Sequence, residues 1–388
     1  MSGVRSGHVS VEALERVVFG IAANTAVCDE AARYGAQRIF VLSTRSLAGQ
    51  AAGPFERVVA ALGARCVGSF SAISAHSRRE DVIAAAAKVR ATAADLLVAI
   101  GGGSVIDATK AIQLCLWLGL DTADAMDPYF GEGARVAVAP RDPIRMIAVP
   151  TTLSAAEFTS TAGINNSLTR TKEMVGHRLF VPRSVILDPA ATLATPEGLF
   201  LSTGIRAVDH AAESYCSPLA NPATEALSLQ GLRLLGRSLP RIKAQPDDLE
   251  ARLEAQFGAW QAVAAVSAGA GVGASHGIGY VLGGSYGVAH GHTSCVMLAA
   301  VLRWNAVVNA ERQRALARAL GSADRPAADL VAELVAALDL PGSLRAVNIA
   351  HGSFDDIAGR ALGYEPVRMN PRPVRGPADV REILELAW

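Results

Sequence analysis

The residues best suited to bind a ligand are three consecutive glycines, Gly101, Gly102 and Gly103, followed by Ser104. They come directly after an apolar run at residues 95–100 and directly before a segment with helical spacing. Glycine lets the backbone approach a phosphate closely, and the N–H groups and dipole of a helix start favour an anion. A plain turn would need only one glycine, so the run predicts a pyrophosphate-binding loop. Its spacing matches neither the Walker pattern nor G-x-G-x-x-G.

A second polar turn contains Thr151, Thr152 and Ser154 and follows another apolar run at residues 146–150. Ligands of parallel sheets gather at the carboxyl ends of the strands, where such hydroxyls would meet them. Taken alone, the turn is equally typical of a capped helix start.

Four of the eight histidines, His210, His276, His290 and His292, lie in stretches with few or no charged residues. A single buried histidine is usually a structural residue that has found its hydrogen bonds. Several that converge favour a metal site or a proton-transfer site.

The elements that must position these residues change in type near residue 189. Before it, short apolar runs alternate with Ala-rich helical stretches, which is typical of a parallel sheet with crossover helices. The predicted strands are residues 38–42, 95–100, 146–150 and 184–188, with a helix at 81–93 and a surface loop at 118–145. The predicted helices after residue 189 are 247–257, 313–320, 327–338 and 378–386. We therefore predict an N-terminal α/β domain at 1–189 and an all-helical domain at 190–388.

The composition excludes several classes of protein. Lys plus Arg equals Asp plus Glu, 36 against 36, so no overall charge favours nucleic acid. The five cysteines have no paired spacing, which predicts a reducing, cytoplasmic setting. The N-terminus lacks the apolar core of a signal peptide. Residues 255–302 carry no Asp, Glu, Lys or Arg, but glycines and histidines interrupt them, so we predict no membrane segment.

Taken together, the motifs resemble the iron-containing alcohol dehydrogenase family over nearly the whole chain. The motifs are Gly101-Gly102-Gly103-Ser104 with Asp107 and Lys110, Pro150-Thr151-Thr152, Leu187-Asp188-Pro189, Gly204-Ile205-Arg206-Ala207-Val208-Asp209-His210, the paired His276 and His290, and Asn370-Pro371-Arg372-Pro373. Leu42-Ser43-Thr44 and Ala75-His76-Ser77 look similar to the maleylacetate reductase branch, whereas residues 118–145 look more like the alcohol dehydrogenases. Whether the chain is more similar to the maleylacetate reductases or to the alcohol dehydrogenases of the family stays open.

The resemblance implies a dehydroquinate synthase-like fold, with a dinucleotide-binding domain, a helical domain and a cleft between them for nicotinamide and substrate. It also implies a homodimer. Residues Gly101 to Ser104 would hold the pyrophosphate of NAD(H) or NADP(H), with Asp107 beside them. Thr151 and Thr152 would line the cofactor cleft, and Lys172 would reach the ribose.

The family's metal, iron or zinc, is held by one Asp and three His. His210, His276 and His290 match the histidines, but the Asp position is Arg206. A guanidinium stays protonated, cannot ligate a cation and would repel one. Asp209 points about 100° away from His210 on a helix and is not an obvious substitute. A divalent metal is therefore doubtful at this site.

Arg206 could instead polarise a substrate carbonyl or anchor a carboxylate, with His210, His276 or Tyr280 delivering the proton. Tyr280 stands where many alcohol dehydrogenases of the family carry another histidine. The alternative for Arg206 is a structural ion pair with Glu213 or Asp209.

The cofactor preference depends on the end of the second strand, where an acidic residue would exclude a 2′-phosphate. Thr44 stands there, so NADPH is permitted and favoured, and NADH stays possible.

The leading function is thus an NAD(P)-dependent oxidoreductase acting on a small alcohol, aldehyde or keto acid, with an altered metal site or no metal. Three alternatives stay open. One is a maleylacetate-reductase-like, metal-independent reduction of an anionic oxo acid. Another is a dinucleotide-binding protein that has lost catalysis, and the third is a lyase of the dehydroquinate synthase fold.

Overall fold

The structure is a computed structural model that describes residues 9–75, 77–131, 133–137, 140–169 and 171–388. His76, part of the motif compared with the maleylacetate reductases, lies outside the described residues. The chain forms two compact units. Of the described residues, the first contains those in 13–200 and 245–256, and the second contains those in 9–12, 201–244 and 257–388.

The first unit is built on a six-stranded parallel sheet with the order β1-β8-β5-β4-β2-β3. A separate antiparallel hairpin is formed by β6 and β7. The strands are β1 (Arg16–Phe19), β2 (Ile39–Leu42), β3 (Cys66–Phe70), β4 (Leu96–Gly101), β5 (Arg145–Pro150), β6 (Thr161–Asn166), β7 (Thr171–Gly176) and β8 (Ser184–Leu187).

Helices cover both faces of this sheet. Their bounds are α1 (Ala23–Arg33), α2 (Arg45–Ala48), α3 (Pro54–Leu62), α4 (Arg79–Thr92) and α5 (Gly103–Leu118). Alternate residues of β4 enter different cores: Leu97 packs in one with residues of α4 and α5, and Val98 packs in the other with residues of α1 and α3. Because β4 is buried on both faces, its sequence is a continuous apolar run rather than an alternating one.

The direction of strand addition reverses inside the sheet. From β2 the chain adds β3 on one side, and from β4 it adds β5 and then β8 on the other. Ligands of open α/β sheets bind at the carboxyl ends of strands beside such a reversal. The place where β2 and β4 end is therefore the expected ligand site of this unit.

The second unit is helical. The remaining helices of the chain are α6 (Glu197–Cys216), α7 (Pro222–Ala244), α8 (Leu249–Ala265), α9 (Ala274–Tyr286), α10 (His290–Ala319), α11 (Ala327–Ala337), α12 (Phe354–Ala361), α13 (Glu365–Arg368) and α14 (Pro377–Leu386). One core of this unit joins α9 and α10 to α12 and α14, with Trp304 and Phe354 among its buried aromatic residues.

The predicted fold class is confirmed: a parallel α/β unit is followed by helices. The strands predicted at 38–42, 95–100, 146–150 and 184–188 lie within two residues of β2, β4, β5 and β8. The segment predicted as a helix at 313–320 is the end of the longer α10. The sequence reading did not identify β1, β3 or the β6–β7 hairpin. In the structure the two units meet at residue 200, and residues 245–256 belong to the first unit. The domain boundary at residue 189 stays a prediction.

Among the described residues, one helix is long and apolar enough to cross a membrane by length and composition, namely α10. In its most apolar window, 72% of the residues are buried inside the protein. A core helix of a globular protein passes the same test.

Candidate active site

The predicted phosphate loop lies where β4 ends and α5 begins. Gly101 has φ of +156°, and Gly102 is the residue that precedes the helix. Thr151 donates its N–H to the carbonyl of Gly101 at 3.1 Å, so the loop after β5 lies against it. The two predicted turns are therefore neighbours at one edge of the sheet.

Each glycine of the run is required by a close contact. A Cβ atom at Gly101 would lie 2.6 Å from a side-chain atom of Val105, and one at Gly102 would lie 2.8 Å from the methyl carbon of Thr152. A Cβ atom at Gly103 would lie 3.0 Å from Ser154 Oγ. The glycines thus let the loop approach its neighbours, and the first turn of α5 can present N–H groups to an anion.

The predicted cofactor residue Thr44 follows β2, the strand next to β4. Its hydroxyl accepts the N–H of Leu47 and so caps the short helix α2. The preceding Ser43 donates its hydroxyl to the carbonyl of Ile100 at 2.8 Å. The structure therefore brings Thr44, the glycine run and Thr151 to three adjacent strand ends.

Asp107 and Lys110 hold α5 to the hairpin strand β6. Asp107 Oδ2 accepts the N–H of Gly163 at 3.1 Å. Lys110 is fully buried, and its ammonium donates to the carbonyl oxygens of Ala156 and Thr161, both at 2.7 Å. Lys110 therefore has a structural role. Lys172, the predicted ribose contact, is an exposed residue of β7.

Glu157 is a buried carboxyl near this loop that the sequence reading missed. It is 3% exposed, and its Oε2 atom has no hydrogen-bond partner. Burial raises its pKa to about 7, although the ammonium of Lys110 opposes the shift. The only sequence signal was a glutamate just after the polar turn, which resembles an ordinary helix start.

The second candidate cluster lies in the helical unit and begins at Arg206 on α6. This arginine is 4% exposed, and its Nη1 donates to Ser294 Oγ at 3.1 Å. Its buried Nε has no partner. Among the described residues no carboxylate forms an ion pair with it, so the pair considered with Glu213 or Asp209 is not formed.

Two predicted histidines meet in this cluster. The rings of His210 and His276 stack with centroids 4.8 Å apart and planes inclined by 30°. Burial, with Arg206 nearby, lowers the pKa of His276 to about 3 and that of His210 well below its usual value. Both imidazoles are therefore neutral at physiological pH.

Glu213 fixes the orientation of His276. Its Oε2 lies 2.7 Å from His276 Nδ1 and accepts the N–H of Gly273 at 2.8 Å, while Oε1 accepts the N–H of Ser275 at 2.8 Å. Burial raises the pKa of Glu213 to about 7, although its backbone hydrogen bonds and Arg206 oppose the shift. When Glu213 is ionised, its carboxylate can only accept, so the Nδ1 atom of the imidazole carries the proton. His276 Nε2 then holds a lone pair, and it is buried without a partner.

A second acid of α6, Asp209, lies near the same ring nitrogen of His276. Its Oδ2 accepts the hydroxyls of Ser275 at 2.8 Å and Ser294 at 2.6 Å and lies 3.4 Å from His276 Nδ1. Burial raises the pKa of Asp209 to about 6, against the nearby Arg206 and the Ser294 bond. Asp209 therefore belongs to the cluster. The sequence had argued against it as a metal ligand because it points about 100° away from His210 on the helix.

Tyr280 and His290 occupy different surroundings. The Tyr280 ring centroid lies 6.0 Å from the Arg206 guanidinium carbon, and its ring packs edge-to-face on Tyr364. Burial raises the pKa of the Tyr280 phenol, so it keeps its proton. His290 is the first residue of α10 and is exposed.

The residues do not fit a divalent iron or zinc ion. Such an ion needs ligand atoms that converge on one point and a net negative or neutral donor set. Here the two histidine rings stack, and the guanidinium of Arg206 lies in the same cluster, at the position where the family resemblance implies a carboxylate. Asp209, Glu213 and His276 do bring ligand atoms within 4.8 Å of one another. However, both oxygens of Glu213 and Oδ2 of Asp209 already accept hydroxyl or backbone N–H donors, so only Asp209 Oδ1 has no partner.

Comparison with known proteins identifies the chain's relatives. Residues 15–189 match the model for the iron-containing alcohol dehydrogenases, and residues 200–388 match the C-terminal model of the Fe-containing alcohol dehydrogenase family. Dehydrogenase ALT3 of Alternaria alternata is 32% identical over 87% of this chain and 96% of its own. Maleylacetate reductase of Burkholderia cepacia is 30% identical over 97% and 96%.

Solved structures agree. Maleylacetate reductase from Rhizobium sp. strain MTP-10005 has a TM-score of 0.83 and 28% identity, over 99% of each chain. A 1,3-propanediol oxidoreductase has a TM-score of 0.88 and 26% identity, over 97% of this chain and 98% of its own. Together with these relatives, the parallel sheet with its glycine turn and the helical unit place the chain among oxidoreductases of this architecture. The chain belongs to the iron-containing alcohol dehydrogenase family, as its motifs predicted.

Gly102→Ala tests the phosphate loop. Gly102 has φ of −82°, which alanine adopts freely, so the only obstacle is the contact of its Cβ with Thr152. We expect the dissociation constant of the dinucleotide to rise by about tenfold or more as the two turns separate. Fluorescence titration with NADPH measures it. Gly359→Ala, in open space on α12, is the matched control. Equal affinities in the two variants would contradict this role for the loop.

Glu213→Gln tests the clamp on His276. The amide places an N–H₂ group against backbone donors, so we expect a loss of about 2–3 kcal/mol in the free energy of unfolding. Urea unfolding of the whole chain measures it. Glu225→Gln, which weakens a partly exposed ion pair with Arg312, should cost about 1 kcal/mol or less. A Glu213→Gln variant as stable as the wild type would argue against the clamp.

Glu157→Gln tests the buried acid through pH. Because its folded pKa of about 7 lies above the ordinary 4.5, the folded state binds the extra proton between these values. The contribution of this carboxyl to the free energy of unfolding is fully present below about pH 4.5 and is lost as the pH rises through 7. Relative to the Glu157→Gln variant, the wild type should lose up to about 3 kcal/mol across that window. Urea unfolding at several pH values tests this, with the exposed Glu365→Gln as control. A difference in the free energy of unfolding between wild type and Glu157→Gln that does not change with pH would contradict the raised pKa of Glu157.

Proposed function

We propose that the chain is an NAD(P)-dependent oxidoreductase that transfers hydride between nicotinamide and the carbonyl carbon of a small oxo acid, without a metal. The loop from Gly101 to Ser104 would hold the pyrophosphate, with Asp107, Thr151 and Thr152 around it and Lys172 on the ribose. The observation that carries the reaction is the buried Arg206, whose Nε has no partner in a cluster rich in uncharged imidazole.

Arg206 supplies the positive charge that a carbonyl oxygen needs as hydride arrives at carbon. A guanidinium is charged at every relevant pH and donates up to five hydrogen bonds, of which one goes to Ser294. In a buried site such a preorganised donor stabilises developing negative charge strongly. A substrate carboxylate would add the negative partner that the guanidinium lacks. This favours an anionic oxo acid over a neutral aldehyde.

Tyr280 is the best placed proton donor among the three residues considered. His276 presents a lone pair at Nε2, because its Nδ1–H is engaged by Glu213. The low pKa values of His276 and His210 leave no imidazolium to donate a proton. The Tyr280 phenol keeps its proton and lies near Arg206, whose charge would ease the transfer.

The cofactor is proposed to be NADPH, with NADH also accepted. No acidic residue follows β2, and Thr44 there is followed by the exposed Arg45 and Ser46. A 2′-phosphate would meet hydroxyls and a cation instead of a carboxylate. The homodimer and the cytoplasmic location stay predictions.

Arg206→Lys tests the reaction. A lysine keeps the charge but loses the planar fork, so kcat/KM for an oxo acid such as pyruvate or maleylacetate should fall by about 10²–10³. The fall for a neutral aldehyde should be smaller. Arg312→Lys, at a partly exposed ion pair, is the control. Oxidation of NADPH followed at constant cofactor gives both values.

The metal assignment is checked on the same preparation. We expect elemental analysis to find less than about 0.1 iron or zinc per chain and a chelator to leave the rate unchanged. One metal per chain with chelator-sensitive turnover would overturn the metal-free reaction. Tight NADPH binding with no reduction of any carbonyl compound would instead favour a catalytically inactive dinucleotide-binding protein.

A further inference from the structure

Arg206 and Asp209 are joined through a residue of another helix. Both lie on α6, three residues apart, and Ser294 of α10 stands between their side chains. The guanidinium Nη1 donates to Ser294 Oγ at 3.1 Å, and the serine hydroxyl donates to Asp209 Oδ2 at 2.6 Å. Hydride transfer does not by itself require Ser294 or Asp209.

The direction of every bond in this chain is fixed. An arginine can only donate and an ionised carboxylate can only accept, so the single hydroxyl proton of Ser294 must point to Asp209. The serine oxygen is then free to accept from Arg206. Bonds in such a chain polarise one another in a buried setting, and all three residues are at most 4% exposed. One terminal nitrogen of the guanidinium is thereby held on the protein side.

We propose that Ser294 and Asp209 are positioning residues that fix the direction of the Arg206 guanidinium. Asp209 supplies the countercharge, and Ser294 transmits it to Nη1. The Nε atom, which has no partner, is then aimed at the anionic group of the substrate. This inference rests on the proposed function, because it assumes that Arg206 meets a substrate oxygen.

The chain contains a matched control. Ser275 donates its hydroxyl to the same Asp209 oxygen at 2.8 Å, and no hydrogen bond joins it to Arg206. Removing either hydroxyl takes one hydrogen bond from Asp209 and leaves a similar small void. Only the loss at Ser294 breaks the connection to the guanidinium.

The experiment measures binding of oxalate, a small dicarboxylate, to the whole protein saturated with NADP⁺, by titration calorimetry. Ser294→Ala should raise the dissociation constant of oxalate by about tenfold, and Ser275→Ala should raise it by less than about twofold. Ser294→Thr, which keeps a hydroxyl, should restore affinity to within about threefold. Melting temperatures of the two alanine variants should fall by similar amounts. If Ser294→Ala does not fold, Ser294→Cys gives the same comparison with nearly the same volume.

If Ser294→Ala and Ser275→Ala raise the dissociation constant of oxalate equally, the proposal is overturned, because the effect is then structural. Absence of oxalate binding to the wild type would overturn it too, since no anion would need orienting. Failure of the proposed function is a different result. In that case Arg206→Lys and Ser294→Ala both lower the affinity for oxalate, yet the wild type reduces no oxo acid. The positioning role of Ser294 and Asp209 then stands, and only the proposed reaction fails.

Discussion

The cluster in the helical unit depends on the burial of one positive charge. Moving an ion from water into a protein interior costs several kcal/mol unless partners compensate for it. Arg206 is 4% exposed and has no ion pair in the described part of the chain. The buried acids Asp209 and Glu213 lie near it, and its charge opposes the rise that burial causes in their pKa values. Its only hydrogen bond in the described part of the chain goes to Ser294, and its Nε has no partner, which is the arrangement that we expect of a buried charge that binds a ligand.

A different constraint shapes the loop in the first unit. Strands β4 and β5 pair in parallel with Gly101 opposite Pro150, so the two chains leave the sheet side by side. The turn after β5 carries Thr152 and Ser154, whose side chains occupy the space that β-carbons of Gly102 and Gly103 would need, whereas a β-carbon of Gly101 would meet Val105. The run of three glycines therefore serves the packing of the two turns as well as any phosphate. Lys110, although close by, is engaged in holding the hairpin strand β6.

The sequence was informative where a signal is local. Continuous apolar runs located β2, β4, β5 and β8, because a strand buried on both faces carries no polar alternation. Strand β1, with two exposed residues, and β3, whose residues are mostly half-buried, have no such run and were missed. The family motifs contained Arg206, Asp209 and His276 but gave no sign of the Ser294 hydroxyl that joins Arg206 to Asp209. Asp209 and Ser294 lie 85 residues apart, and only the packing of α10 on α6 brings them together.

The family resemblance implies that Arg206 stands where other members carry a carboxylate, and such an exchange would change what the histidines can do. Histidines that bind a metal need a lone pair directed at it, and His276 has one at Nε2 because Glu213 holds the opposite proton. The same tautomer, with the proton on Nδ1, is also suited to a site that holds a guanidinium in place of the ion. The lone pair on Nε2 would then accept a hydrogen bond from a protein donor or a substrate hydroxyl. Arg206 also helps to lower the pKa of His276, which prevents two positive charges from meeting in one buried place. The scaffold of Glu213 and His276 is therefore compatible with either electrophile, and residue 206 decides which one it can hold.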